Sequence, residues 1–337
     1  MSLFPVCKFV AILMIAGMLS SLAARADDFH IRGSAIVRGG KPVVLRGVNA
    51  MHVFGGDGAD LTTWPGITIV REFVGDLKDE PLEPGSAYHD KARNWYLHSL
   101  QDVVSHNEAR GIVSIVCPWT MDTFKETDFC GSIPIKAAWY ADYKSRMRDW
   151  ARQFKGQKMV WIEVMNEPFV ILTTPQDDAL WLSSMSDMVD NLRSAGWDGI
   201  IVVPGSAWGQ DETVIERMGP ALLKGRRDIL FDVHIYERWL SHPSTIDERI
   251  AAIKASRLPF IFAELGPQNN VNFDDPKPFI AAAQKNKLSV LAWGWGTYGK
   301  RSPGNLQTNE GGPYDVDNFG WGSAYKSFLA GSSTEVK

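Results

Sequence analysis

Eight short apolar runs, each separated from the next by a stretch of mixed or helical pattern, constrain this chain more than any other feature. They are Val43–Ala50, Gly66–Phe73, Gly111–Trp119, Met159–Glu167, Gly199–Gly205, Ile229–Tyr236, Pro259–Gly266 and Ser289–Gly296. Most are rich in Val and Ile, and several begin at a Gly or Pro. Continuous apolar runs of this length suit parallel strands that are covered on both faces. Amphipathic helical patterns fill the intervals, for example Ala138–Phe154 and Ala179–Ser194. Strand and helix alternating eight times over roughly 300 residues predict a single (β/α)8 TIM barrel, with a doubly wound open sheet as the rival. Ahead of it, Ile31–Val37 and Val43–Arg46 flank Gly39-Gly40-Lys41-Pro42 and predict a short N-terminal β-hairpin. No linker, tandem repeat or low-complexity tract divides residues 27–337, so one domain is expected there.

Residues 1–26 are read as a signal peptide rather than as structure. Lys8 precedes an apolar run from Phe9 to Leu22, and Ala24-Arg25-Ala26 supplies a small-x-small cleavage pattern that predicts a cut after Ala26. A membrane anchor is the alternative, but the run is shorter than the ~20 residues a span needs. A secreted or periplasmic chain without a membrane segment is therefore expected. Cys7 leaves with the leader, and Cys117 and Cys130 remain. In an oxidising compartment they are either a disulfide worth about 3 kcal/mol or two unpaired thiols. With 35 Lys and Arg against 39 Asp and Glu, no basic surplus exists to neutralise a phosphate backbone. Nucleic acid is not an expected partner. Seven His residues without metal-ligand spacing, and too few Cys for a structural zinc, predict no catalytic metal; no organic cofactor is expected either.

Polar residues at strand C-terminal ends are the functional candidates in a barrel, because the adjoining loops build the site there. The second run ends in Ile69-Val70-Arg71-Glu72 and the fourth in Met165-Asn166-Glu167-Pro168. The sixth alternates, so that Phe231, Val233 and Ile235 face one way and Asp232, His234 and Tyr236 the other. The seventh carries Glu264. A carboxylate inside such apolar runs costs several kcal/mol unless it is paired. Glu167 and Glu264 should point into one mouth, with Arg71 near enough to keep one of them ionised. Two carboxyls whose environments push their pKa values apart can serve as acid and as base or nucleophile, as glycosidic cleavage requires. A structural ion-pair network is the plainer reading of the same residues.

The ordered set resembles glycoside hydrolase family 5, the cellulases and mannanases. It runs Leu45-Arg46-Gly47-Val48-Asn49, Arg71, Met165-Asn166-Glu167-Pro168, His234-Ile235-Tyr236, Ala263-Glu264-Leu265-Gly266, then an eighth strand bearing Trp. The resemblance implies a retaining mechanism with Glu167 as acid/base and Glu264 as nucleophile. It further implies that Arg71 and Tyr236 hold Glu264 anionic, that Asn166 binds the sugar 2-hydroxyl, and that His234 lines the site near Glu167. The chain departs from the family where Val116-Cys117-Pro118-Trp119 replaces a His usual at the end of strand three. His52 is either a substitute for that contact or a surface histidine.

Thirteen Trp residues are the compositional outlier. Trp119, Trp208, Trp239, Trp293 and Trp295 fall at or just after strand ends, where indole faces could stack on pyranose rings. For each of them, core filling is the alternative, and Trp293 is the favoured platform. Gly294-Trp295-Gly296-Thr297-Tyr298-Gly299 imitates a dinucleotide fingerprint, but loop residues follow it instead of the helix that a pyrophosphate needs.

The expectation is a secreted, monomeric, retaining endo-β-1,4-glycanase whose partner is a polysaccharide or oligosaccharide. Cellulose-type β-glucan leads as substrate and mannan is the alternative. A barrel that binds carbohydrate without turnover is the rival from another class.

Overall fold

The computed structural model describes residues 28–54, 59–76, 87–90, 95–120, 129–269, 272–296 and 302–331. The expected leader, residues 1–26, lies outside them. Eight strands close into a barrel with every neighbouring pair parallel. In chain order they are β1 (Arg46–Ala50), β2 (Ile69–Asp76), β3 (Val113–Thr120), β4 (Val160–Glu163), β5 (Ile201–Pro204), β6 (Ile229–Ile235), β7 (Phe260–Leu265) and β8 (Val290–Ala292).

Helices pack outside the strands: α1 (Leu100–Ala109), α2 (Tyr140–Gln153), α3 (Pro175–Ser194), α4 (Thr213–Leu223), α5 (Ile246–Ser256), α6 (Lys277–Asn286) and α7 (Trp321–Ala330). Helix α3 starts four residues before the pattern suggested. Thr174 and Asp177 form a reciprocal capping box there, with Pro175 in the first turn.

The strand period decides what goes where. Residues such as Val70, Val116, Ile162, Val203 and Phe231 point outward into the layer shared with the helices. Alternate residues, among them Ile69, Ile115, Trp161, Val202 and Leu230, point inward and fill the barrel. That inner cluster also takes in Phe29 and Ile36 from a three-stranded antiparallel sheet (Phe29–Arg32, Ala35–Arg38, Lys41–Pro42). This small sheet plugs the N-terminal mouth.

It also corrects the expected hairpin. The first turn falls at Gly33-Ser34, between strands pairing Phe29 with Arg38 and Arg32 with Ala35. The Gly39-Gly40 turn adds only the two-residue third strand. Val43 donates one bond back to Ile36, and the chain then enters β1 instead of extending the hairpin.

Helix α7 staples the seam between the last strand and the first. The Tyr325 hydroxyl donates 2.6 Å to the Gly47 carbonyl and 3.0 Å to that of Val290. Arg46 Nη1 returns 2.6 Å to the Phe328 carbonyl. No helix among the described residues is long and apolar enough to cross a membrane.

Candidate active site

The C-terminal mouth is polar where the other end is apolar. Arg71, on β2, is fully buried at its centre. Its Nε and Nη2 form a fork with Glu163 of β4, both bonds 2.6 Å. Nη1 donates to Glu264 Oε1 at 2.5 Å and to Asn49 Oδ1 at 3.1 Å, and Nη2 reaches Asn166 Oδ1 at 2.9 Å. A planar guanidinium with five fixed donors is suited to hold several acceptors in one plane. The sequence reading predicted the contact to Glu264 and missed Glu163 and Asn49. Glu163 lies two residues beyond inward-facing Trp161, so its parity alone put it inside the barrel.

Glu264 takes a second bond, 2.7 Å, from the Tyr236 hydroxyl. Burial and the Glu264 charge push the Tyr236 phenol well above its usual range, so it stays a donor. Plain alternation would turn Glu264 outward, since Phe262 and Leu265 face the helices while Ile261 and Ala263 face inward. The register against β6 slips here: Asp232 opposes Ile261, whereas His234 opposes Glu264. One extra residue in β7 therefore makes a bulge that delivers Glu264 to the mouth.

Glu167 stands past the end of β4, four residues beyond Glu163. Its φ is +48°, a left-handed conformation uncommon for a residue with a side chain. The surroundings hold it there. Gly131 donates to its carbonyl at 2.7 Å, and Phe169 donates to Ser132 at 2.9 Å. Its Oε1 sits 2.9 Å from His234 Nδ1. Glu167, His234 and Glu264 each bring one polar atom within 4.8 Å of the others. That spacing belongs to the two-carboxylate arrangement. The Arg71 guanidinium already bonded to Glu264 makes it a poor place for a cation. Burial, reinforced by the charge of Glu264 and opposed by the His234 bond, raises the Glu167 pKa to about 7. Glu167 is therefore the carboxyl that can carry a proton near neutrality, beside a Glu264 held between Arg71 and Tyr236.

Asn166 is oriented by its neighbours. Arg71 can donate only to the amide oxygen, so Nδ2 must be the atom facing Cys130 Sγ at 3.5 Å. Sulfur is a weak acceptor, and this leaves the amide suited to an incoming hydroxyl. Cys117 and Cys130 are not joined by a disulfide in this structure, which leaves the thiol alternative. Cys117 is buried on the inner face of β3, while Cys130 sits beside Asn166.

The aromatic candidates separate. Trp293 is half-buried, its ring edge-on to Phe73 at 5.1 Å, and Phe73 in turn lies over the Arg71 guanidinium at 4.5 Å. Trp208 is exposed and lies on the backbone of Gly131, where an added Cβ would fall 2.8 Å from Nε1. Both can offer a face. Trp239 cannot: it is fully buried, sandwiched with Arg249 at 3.5 Å and the Phe262 and Phe279 rings, with its N–H on Gln210. Trp295 is also buried, packed edge-on to Trp64, and donates 2.7 Å to Asp60. Trp119 lies on β3, and its side chain is outside the described residues.

His52 corrects both readings offered for it. It is neither a surface residue nor open to a ligand, because Nδ1 meets Glu72 at 2.8 Å and Nε2 meets Asp60 at 3.0 Å. Burial disfavours its charge, but Glu72 and Asp60 outweigh that and lift its pKa to about 10.

Comparison with known proteins shows the family and the fold. The sequence profile of the cellulase family, glycosyl hydrolase family 5, matches residues 40–299. A mannan endo-1,4-β-mannosidase from Cellvibrio japonicus is 23% identical over 296 residues, 85% of this chain. The match spans 63% of that relative's length. The mannotriose complex of the Thermomonospora fusca β-mannanase superposes with a TM-score of 0.67 at 19% identity, covering 90% of this chain and 97% of that one. The catalytic domain of a Thermobifida fusca endoglucanase gives 0.63 at 19% identity, covering 91% and 98%.

Proposed function

The chain belongs to glycosyl hydrolase family 5, and from that premise we propose that it is an exported, retaining endo-β-1,4-mannanase. The observation that carries the chemistry is the asymmetric carboxyl pair. Glu264 is tied to Arg71 and Tyr236, and Glu167 faces it with a pKa raised to about 7. In this reading a Glu264 oxygen attacks the anomeric carbon as the bond to the leaving oxygen breaks, and the Glu167 proton goes to that oxygen. Water then gives a proton to Glu167 and attacks the same carbon, which releases Glu264 as a carboxylate. Asn166 Nδ2 meets the 2-hydroxyl, Trp293 carries the sugar in the cleaved position, and Trp208 carries the one beyond it.

The relatives support mannan over the cellulose-type glucan that the sequence reading preferred: the mannosidase match runs along most of the chain. Glucan and mannan differ only in the orientation of the C2 hydroxyl, so the choice falls to groups around Asn166. Export with cleavage after Ala26 is part of the proposal. N-terminal sequencing of protein recovered outside the cytoplasm tests it.

Reducing-sugar release from galactomannan, glucomannan and carboxymethyl β-glucan, run beside Glu264→Ala, tests the rest. Release greatest on the mannans and abolished in the variant is expected. Release confined to β-glucan would return the substrate to cellulose-type glucan. Folded protein that binds mannan with no turnover would make it a binding barrel.

A further inference from the structure

The imidazole of His234 has a second partner below the one it shares with Glu167. Asp232, two residues earlier on the same inward face of β6, places Oδ2 3.0 Å from Nε2. Both residues are fully buried. The other oxygen of Asp232 is also committed: Oδ1 accepts the Ala263 backbone N–H at 2.8 Å. That N–H lies at the β7 bulge, where the register slip takes away its ladder partner. One carboxylate thus secures the bulge that presents Glu264 and the histidine that touches Glu167. We propose that Asp232 is a positioning residue that keeps His234 doubly protonated, and through it sets the pH range over which Glu167 holds its proton. The inference rests on the acid/base reading of Glu167.

The donor inventory makes the argument. Asp232 offers Nε2 only an acceptor, so Nε2 must carry a proton. Glu167, once deprotonated, offers Nδ1 only an acceptor as well. An imidazolium satisfies both at once. The other charged groups around it are Glu264, 3.7 Å from Nε2, with Arg71 behind it, and Glu163 across the mouth on β4. Tyr236, just past the end of β6, is the neutral titratable neighbour. The loop after β5 contributes the backbone of Gly209, whose carbonyl accepts the His234 N–H at 2.9 Å. Gly209, at φ +75°, lies flat on the ring, and a Cβ there would sit 2.7 Å from Cγ and Nδ1. Burial opposes the charged ring, but Glu264, Asp232 and Glu167 favour it, and the balance of charge over burial holds its pKa well above the usual range.

Asp232→Asn separates the roles. The amide oxygen can still take the Ala263 N–H, which turns the NH2 toward Nε2 and forces that nitrogen to give up its proton. His234 then keeps its Nδ1 bond to Glu167 and loses its charge. A neutral neighbour stabilises the Glu167 carboxylate less, so its pKa rises. The descending basic limb of kcat/KM on a manno-oligosaccharide should move up by about one pH unit, with kcat reduced more than KM is altered. Imidazole 15N NMR supplies a second readout. Wild-type His234 should show two protonated ring nitrogens at pH 7, and the variant one.

A limb that stays in place in folded Asp232→Asn overturns the inference. So does a wild-type ring with a single proton at pH 7, which can be read even if the variant does not fold. Glu167→Gln isolates the underlying reading. It should abolish polysaccharide cleavage yet still release an activated aryl leaving group, which needs no proton. If Glu167→Gln cleaves polysaccharide normally, the acid/base reading fails, whatever Asp232 does.

Discussion

Near the N-terminal mouth the inward positions carry Ile69, Ile115, Trp161 and Leu230, and two residues further along the same strands they carry Arg71, Cys117, Glu163 and Asp232. One step of the strand period separates a dry apolar plug from a buried cluster of charge. The plug is closed by Phe29 and Ile36, so its lower layers make a continuous core that no ligand needs to enter. The upper layer is stabilising only as a set. Each carboxylate is held by Arg71, His234 or Tyr236, and removing one partner leaves another stranded. Substitutions at the two ends should therefore differ: at the plug they cost stability alone, whereas at the mouth they cost rate, and stability too where a buried partner is stranded.

The largest effect expected is Glu264→Ala: a loss of kcat of at least about 10^4-fold, in protein that still folds because Arg71 keeps its fork with Glu163. If turnover survives, the chemical half of the comparison breaks. Next is Glu163→Gln, which removes one arm of the Arg71 fork without touching substrate. A drop of about 10^2-fold in kcat with KM nearly constant would mark positioning at the mouth. Phe29→Ala is the converse test, expected to cost about 3 kcal/mol in denaturant unfolding while kcat/KM stays within about twofold. A rate loss larger than that would show the two ends to be mechanically linked.

Two pH effects are smaller. Glu167 must be protonated to act as acid, and its pKa is raised to about 7. Wild-type kcat/KM should therefore fall toward about tenfold per unit as pH rises past that value. His52 has a folded pKa of about 10, above the unfolded ~6.5. Its contribution to stability is full below the unfolded value and is lost as pH rises from there through about 10. The thermal midpoint should sag over that window in wild type and less so in His52→Gln.

The barrel was legible because apolar continuity survives in a single sequence: all eight runs contain a strand, although ladder pairing stops well short of several of their ends. Asn166 and Glu167 are the clearest case, since the run extended β4 through residues that lie beyond it. The Arg71, Tyr236, His234 and Glu264 grouping was readable from strand ends plus family resemblance. What escaped depends on neighbours that a sequence does not display. The β7 bulge reverses the facing of Glu264 against simple alternation, and Asp232 gains its second task only because that bulge strands the Ala263 N–H. Trp239 and Trp295 sit at strand ends, as a sugar platform should, yet the packing of Arg249 and Trp64 against them takes their faces. His52 was judged by its position after β1, and the two acids that enclose it come from the middle of β2 and a short helical turn.

The staple at the seam has a consequence for the timing of folding. Gly47 and Val290 are joined through Tyr325, so the ring closes between segments from opposite ends of the chain. Loop-closure entropy makes such a contact late and slow to form. A chain still lacking helix α7 has the β8–β1 ladder to hold this seam, without the Tyr325 latch across it.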